Sequence, residues 1–241
     1  MPAGSRRNFL QGTLVSAAAL ALSQKIAAAT GPAREMAPKL DASEGFLTDV
    51  NVYVAQWPFR RVASDEPRAL AGKLRARGVK TAWTASLESL LHRDLAAVNL
   101  RLVESCRVHG PGLFLPFGAV NPSLPDWEED LRRCAEVHHM KGIRLHPNYH
   151  GYKLNDPRFV RLAEQAERRD LIVQIATEME DRRTQHPLAL VPPVDVSPLP
   201  EIAARLPRLK LVVLNASLAG PLATRLAGSG QVHLDTSHHE G

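Results

Sequence analysis

In the stretch D-V-N-V-Y-V-A-Q-W-P-F-R-R, residues 49 to 61, Asp49, Asn51 and Tyr53 alternate with Val50, Val52 and Val54. Alternation is the period of a strand, so the three polar side chains share one face. Side chains of this kind at a strand end can hold a metal or a substrate. Arg60 and Arg61 follow at once, and two guanidinium forks can grip a carboxylate in bidentate fashion. A surface salt bridge is their structural alternative. His146, Tyr149, His150 and Tyr152 form a second group, and Glu178, Glu180, Asp181, Arg182, Arg183 and His186 a third. A carboxylate beside an imidazole can move protons, so Glu178, Asp181, His146 and His150 are the catalytic candidates. Asn51, Tyr53, Arg60, Arg61, Tyr149, Tyr152, Asn215 and Asp235 are the candidate substrate contacts. A last group, His238, His239 and Glu240, closes the chain. The plainer reading has His146 packed under its loop, His150 capping that loop, and the run from Glu180 to Arg183 paired with itself in solvent. Trp57-Pro58-Phe59 reads as a packed plug at the mouth of the site.

The elements that must position these groups alternate. Strand-like runs occur at 46–54, 79–84, 113–120, 141–145, 171–176, 209–214 and 232–235. Helical patterns fill the gaps. Residues 65–77 open on Asp65-Glu66-Pro67 and stop at Gly78, and residues 93–109 stop at Gly110-Pro111. Residues 125–138 open on an acidic turn, and residues 156–169 open on Asp156-Pro157, a cap followed by proline at the first helical position. Residues 197–206 form another helix, and a last one follows Ser217. Strands joined by helices of this length make right-handed crossovers and a parallel sheet. No Gly-x-Gly-x-x-Gly turn follows the first strand, which disfavours a dinucleotide fold. The polar groups gather after strands, as they do on the active face of a barrel. The pattern therefore predicts a (β/α)8 TIM-barrel type fold with seven strands visible.

Residues 1–29 carry Arg6, Arg7 and Lys25 and no acid, followed by an apolar run from Leu14 to Leu22 and by I-A-A-A-T at 26–30. A basic start, a short apolar core and small residues at a cleavable end describe an export signal. The paired arginines before Phe9 and Leu10 resemble the twin-arginine type. The apolar run falls short of the ~20 residues that span a bilayer, so no stable membrane anchor is expected. Residues 30–44 read as a linker, and residues 45–241 as the barrel. Much of the +5 net charge sits in the leader; without it, 27 basic residues face 25 acidic ones, or +2. With no basic block and 5% aromatic residues, nucleic-acid binding is not expected. Cys106 and Cys134, the two cysteines, lie in helical patterns and read as buried thiols, with a disulfide as the alternative.

The segment G-I-R-L-H-P-N-Y-H-G-Y-K-L-N-D-P, residues 142–157, resembles the fourth strand and loop of amidohydrolase-related proteins, metal-dependent hydrolases and decarboxylases built on a (β/α)8 barrel. W-P-F-R-R at 57–61, F-G-A-V-N-P at 117–122 and L-I-V-Q-I-A at 171–176 fit the same pattern, so the resemblance covers about residues 46 to 241. It implies a His-x-His pair on the first strand, histidines after the fifth and sixth, and an aspartate on the eighth. Such a set holds zinc or manganese and lowers the pKa of a bound water. Here the corresponding positions are Asn51 and Tyr53, Ala176 and Asn215, and the chain ends just past the seventh strand. Amide and phenol oxygens replace imidazoles poorly and alanine not at all, so substoichiometric metal is expected. A relocated site on His146 or His150 with Glu178 is the alternative. The resemblance implies hydrolysis; with the leader and the paired Arg60 and Arg61, the expectation is an exported hydrolase acting on a small, carboxylate-bearing molecule. A non-catalytic ligand-binding barrel, or an inactive fragment of a longer product, is the rival. Seven strands leave two open edges, an expected route to oligomers.

Overall fold

The computed structural model describes residues 46–181, 183–216 and 220–237. The leader, the linker, Arg182 and the His238-His239-Glu240 group lie outside them. Seven parallel strands run in chain order: β1 (Leu47–Val54), β2 (Val79–Ser86), β3 (Phe114–Gly118), β4 (Gly142–Leu145), β5 (Ile172–Ala176), β6 (Lys210–Leu214) and β7 (Val232–Leu234). Between them lie α1 (Pro67–Ala76), α2 (Leu95–His109), α3 (Trp127–Arg132), the short α4 (Pro147–His150), α5 (Pro157–Arg168), α6 (Leu199–Arg205) and α7 (Gly220–Ala227). The sheet curls as an incomplete (β/α)8 barrel. Among the described residues, β1 and β7 each keep one unpaired edge.

The local chemistry explains the boundaries. Glu66 caps α1 by accepting from the amides of Arg68 at 3.1 Å and Ala69 at 2.7 Å, and Gly78 at φ 79° turns the chain into β2. Asp94 and Asp156 cap α2 and α5 in the same way. Two short features fall outside the predicted pattern, and one modifies the helix expected over 125–138. The two are α4 and a 3-10 turn at Leu87–Leu90, and the third is a π-turn at Arg133–Val137 that continues α3. Both cysteines are buried free thiols, each pushed up to about 12 by burial.

The larger core joins β4–β6 to α5 and α6 through Ile143, Phe159, Leu162, Val173, Ile175, Leu199 and Val213, all fully buried or nearly so. A second packs Val52 and Val54 of β1 against Ala71, Leu74, Leu102 and Cys106 of α1 and α2. Val52 and Val54 therefore face the helices, which leaves Asn51 and Tyr53 for the barrel interior. Gly142 begins β4 for a steric reason: a Cβ there would run into the Phe117 ring and the Ile172 carbonyl oxygen.

Candidate active site

The centre of the site is a buried cation. Arg144 of β4 is fully buried and stands beside Gln174 in the β4–β5 register. Its Nε donates to Gln174 Oε1 at 2.7 Å, its Nη1 to Val52 O at 2.8 Å, and its Nη2 to Val50 O and Trp83 O at 2.9 Å each. Those β1 carbonyls are within reach because the strand bulges there. Asp49 pairs with Ala82 and Val52 with Thr84, three residues against two. Gln174 Nε2 adds a second bond to Val50 O at 2.8 Å. Barrel interiors are usually filled by apolar layers, so a polar centre of this kind marks a site.

Tyr53 lies directly over this cation, with the Arg144 guanidinium carbon 4.5 Å from the ring centroid. Its Oη reaches His146 Nε2 at 3.1 Å and Met179 Sδ at 3.3 Å. His146 ends the fourth strand's run, caps α4 and is fully buried, and its Nδ1 has no partner. Burial raises the Tyr53 phenol above its ordinary value despite the opposing pull of Arg144. Burial likewise holds the His146 imidazole well below its ordinary value, helped by His150 and Arg144. Both shifts favour the neutral forms. At neutral pH the pair is a phenol hydrogen-bonded to an uncharged imidazole.

A second cluster ties the ends of β1, β6 and β7 together. Asn51 Nδ2 donates to Asn215 Oδ1 at 2.7 Å and to Asp235 Oδ2 at 2.9 Å. The Asn215 amide donates to Asp235 Oδ1 at 3.0 Å, and Asn215 Nδ2 to the Glu178 carbonyl at 2.7 Å. Ser237 Oγ lies 3.0 Å from Asn215 Oδ1 and 2.9 Å from Asp235 Oδ2. Asn215 takes a left-handed backbone, φ 57°, which asparagine tolerates better than most side chains.

Above the pair, the 87–90 turn, Trp57, Val62, Tyr149 and Met179 pack as a small apolar cap. Trp57 meets Phe59 and Tyr149 edge-on, with centroids at 5.9 and 6.5 Å. Arg60 Nη2 meets Glu180 Oε1 at 3.0 Å and straps the β1 loop to the β5 loop. Of the plug expected from W-P-F, Trp57 is buried in this cap, while Pro58 and Phe59 are exposed.

The structure brings together Asn51, Tyr53, His146, Asn215 and Asp235. Tyr149 joins the cap. Arg60 and Arg61 are charge-paired, with Glu180 and Asp65 respectively. His150 lies edge-on to His146, ring centroids 6.0 Å apart, with its Nε2 at 2.9 Å from Ser89 O. Tyr152 stacks on Phe159 with its hydroxyl buried and unpartnered. Glu178 enters through its backbone oxygen, and Asp181 sits on an exposed stretch with Arg183. Sequence reasoning missed Arg144, Gln174, Met179 and Ser237. A charged residue inside the four-residue apolar strand G-I-R-L was the signal for the first.

The amidohydrolase family model matches residues 51–240. The chain belongs to the amidohydrolase family. No curated protein matches it. Among solved structures, this chain is similar to 2,6-dihydroxybenzoate decarboxylase from Rhizobium, at TM-score 0.57 and 14% identity, covering 81% of each chain. It is also similar to 4-oxalomesaconate hydratase from Rhodopseudomonas palustris, at TM-score 0.54 and 12% identity over 81% of this chain and 75% of that one. A third is 5-carboxyvanillate decarboxylase from Novosphingobium aromaticivorans, solved with bound manganese, at TM-score 0.53 and 16% identity over 72% and 67%. At these identities the likeness shows the fold alone.

The Novosphingobium structure holds manganese, and the residues of this chain can be tested against such an ion. Both Asp235 oxygens already accept hydrogen bonds, as does Asn215 Oδ1. Asn51 Oδ1 is the acceptor left without a partner, a single neutral oxygen. Among the described residues, no three of His, Cys, Asp or Glu converge on one point. The donor set at these strand ends does not fit a divalent cation.

Proposed function

We propose that this amidohydrolase is an exported hydrolase for a small, carboxylate-bearing ester, lactone or amide, with Tyr53 and His146 as its acid–base pair. The contact between Tyr53 Oη and His146 Nε2 carries the reading. When the phenol hands its proton to His146 Nε2, its oxygen takes one from the attacking water. The imidazolium formed is disfavoured by burial and returns its proton through Tyr53 to the leaving group, so the proton balance closes. Arg144 steadies the transient negative charge on the phenol oxygen. Support for the substrate class comes from the decarboxylase and hydratase relatives, all named for carboxylates. Arg60, at 56% side-chain exposure, could exchange Glu180 for a substrate carboxylate.

The test is turnover by the mature chain, in EDTA, of a panel of small carboxylate-bearing esters, lactones, amides and aromatic acids, read by mass spectrometry. Hydrolysis of at least one ester, lactone or amide is expected. Silence on all of them would end the hydrolase reading, and loss of carbon dioxide from an acid would replace it with decarboxylation. Export has its own test. Replacing Arg6 and Arg7 with lysine should leave full-length precursor in the cytoplasm, seen as an unprocessed band after fractionation. Normal processing of that variant would remove the twin-arginine assignment.

A further inference from the structure

We infer that the amide–carboxylate cluster of Asn51, Asn215 and Asp235 is a metal-free clasp, doing mechanically what a bound cation would do at these strand ends. It concerns the same site as the reading above and does not depend on the reaction proposed there.

The first observation is where the cluster sits. Asn51 lies 164 residues from Asn215 and 184 from Asp235, so its two bonds join the first strand directly to the ends of the sixth and seventh. No ladder hydrogen bonds join β1 to β7 among the described residues. The clasp spans that gap.

The second is the direction of each hydrogen. The Asn51 Nδ2 group offers two hydrogens and has two acceptors, Asn215 Oδ1 and Asp235 Oδ2. Turning this amide around would set its oxygen against two other oxygens, so the orientation is dictated by its neighbours. Asn215 supplies both a backbone and a side-chain donor, and it spends the side-chain donor on the Glu178 carbonyl. The Asp235 carboxylate thus receives Asn215 N–H on one oxygen and Asn51 Nδ2 on the other, with Ser237 Oγ beside the second. A cation at this point would have to displace those donors and would meet N–H groups rather than lone pairs. An uncharged amide facing the carboxylate does the same bridging with no ion.

The two alternatives separate in one variant. Asn51→Asp sets a second carboxylate against Asp235 across a separation now 2.9 Å. Like charges that close raise the pKa of the pair in the folded state. The folded variant then binds more protons than its unfolded chain, so its stability rises as pH falls.

The experiment is a thermal melt of the mature chain, with metal content measured by plasma emission. Wild type should carry well under one divalent ion per chain. Neither EDTA nor millimolar manganese or zinc should move its midpoint by more than about 1 °C, the scale of a few tenths of a kcal/mol in a domain this size. Asn51→Asp should melt roughly 5–10 °C lower at pH 8. It should recover both on lowering the pH to 5 and on adding manganese at pH 8. Should that variant fail to accumulate, Asp235→Asn supplies the same readout. It turns an acceptor into a donor facing Asn51 Nδ2, and it should melt lower with no rescue by manganese. One tightly held ion in wild type, or an EDTA-induced drop of several degrees, would overturn the inference. So would variants that melt like wild type, whatever the substrate panel shows.

Discussion

Arg144→Met should lower the stability of the barrel by about 3–5 kcal/mol, because it strips a charged donor from four interior acceptors. The opposing effect is real: taking a guanidinium out of water costs several kcal/mol, and a buried ion replaced by an apolar side chain can be a net gain. That gain requires the partners to become apolar as well. Here three of the four partners are backbone carbonyls, Val50 O, Val52 O and Trp83 O, and no substitution removes them. Val50 O keeps its bond from Gln174 Nε2, while Val52 O, Trp83 O and Gln174 Oε1 each lose the Arg144 donor. Three lost bonds from a charged donor, at about 1.5–3 kcal/mol each, exceed the recovered desolvation. A midpoint drop of roughly 10 °C or more in a thermal melt is expected. Arg144→Lys keeps the charge and loses the fork, so it should recover about half of the loss. A Met variant that melts within 2 °C of wild type would show the arginine to be incidental.

Tyr53→Phe should reduce kcat by about 100- to 10,000-fold, the usual worth of a positioned acid–base group. It removes the one oxygen that touches His146 Nε2 and leaves the ring over Arg144 in place. KM should change less than threefold, since the substrate contacts remain. Folding should lose only about 1–2 kcal/mol, the cost of one hydrogen bond and a buried imidazole nitrogen left without a partner. The pH profile separates this role from a packing one. His146 is held below its ordinary value. Wild-type activity should therefore stay level as the pH falls through about 6.5, the ordinary histidine value, and decline only at lower pH. In the Phe variant that acid limb should vanish from the residual rate. Activity within threefold of wild type would remove Tyr53 from the chemistry.

The fold was largely legible in the sequence. All seven strands follow runs of alternating or continuous apolar residues, and the first was expected at 46–54 and lies at Leu47–Val54. Proline, glycine and capping acids marked the helix ends because each acts locally, on the backbone next to it. Four-residue pieces such as Pro147–His150 carry no period and could not be read. The site was legible by position and not by partnership. Once strands alternate with helices, Asn51, Tyr53, Asn215 and Asp235 must end up on one rim. That Tyr53 chooses His146, 93 residues away, depends on the curl of the sheet, which leaves no local trace. Arg60 and Arg61 show the converse. Their fork chemistry suggested a substrate, and nearby acids occupy both. Arg144 was passed over because it stands inside a strand, where a charge reads as an interruption rather than a centre.

The bulge in β1 has a consequence for the order of folding. Its freed carbonyls are held by Arg144, 92 and 94 residues later, and by Gln174, 124 residues later, while Asn51 waits for Asp235. Contacts so distant along the chain cannot repay their loop-closure entropy until the intervening strands are in place. Local helices and the neighbouring β2 can form early, but they leave β1 unlocked. Among the described strands, the first to leave the ribosome is thus the last to be secured.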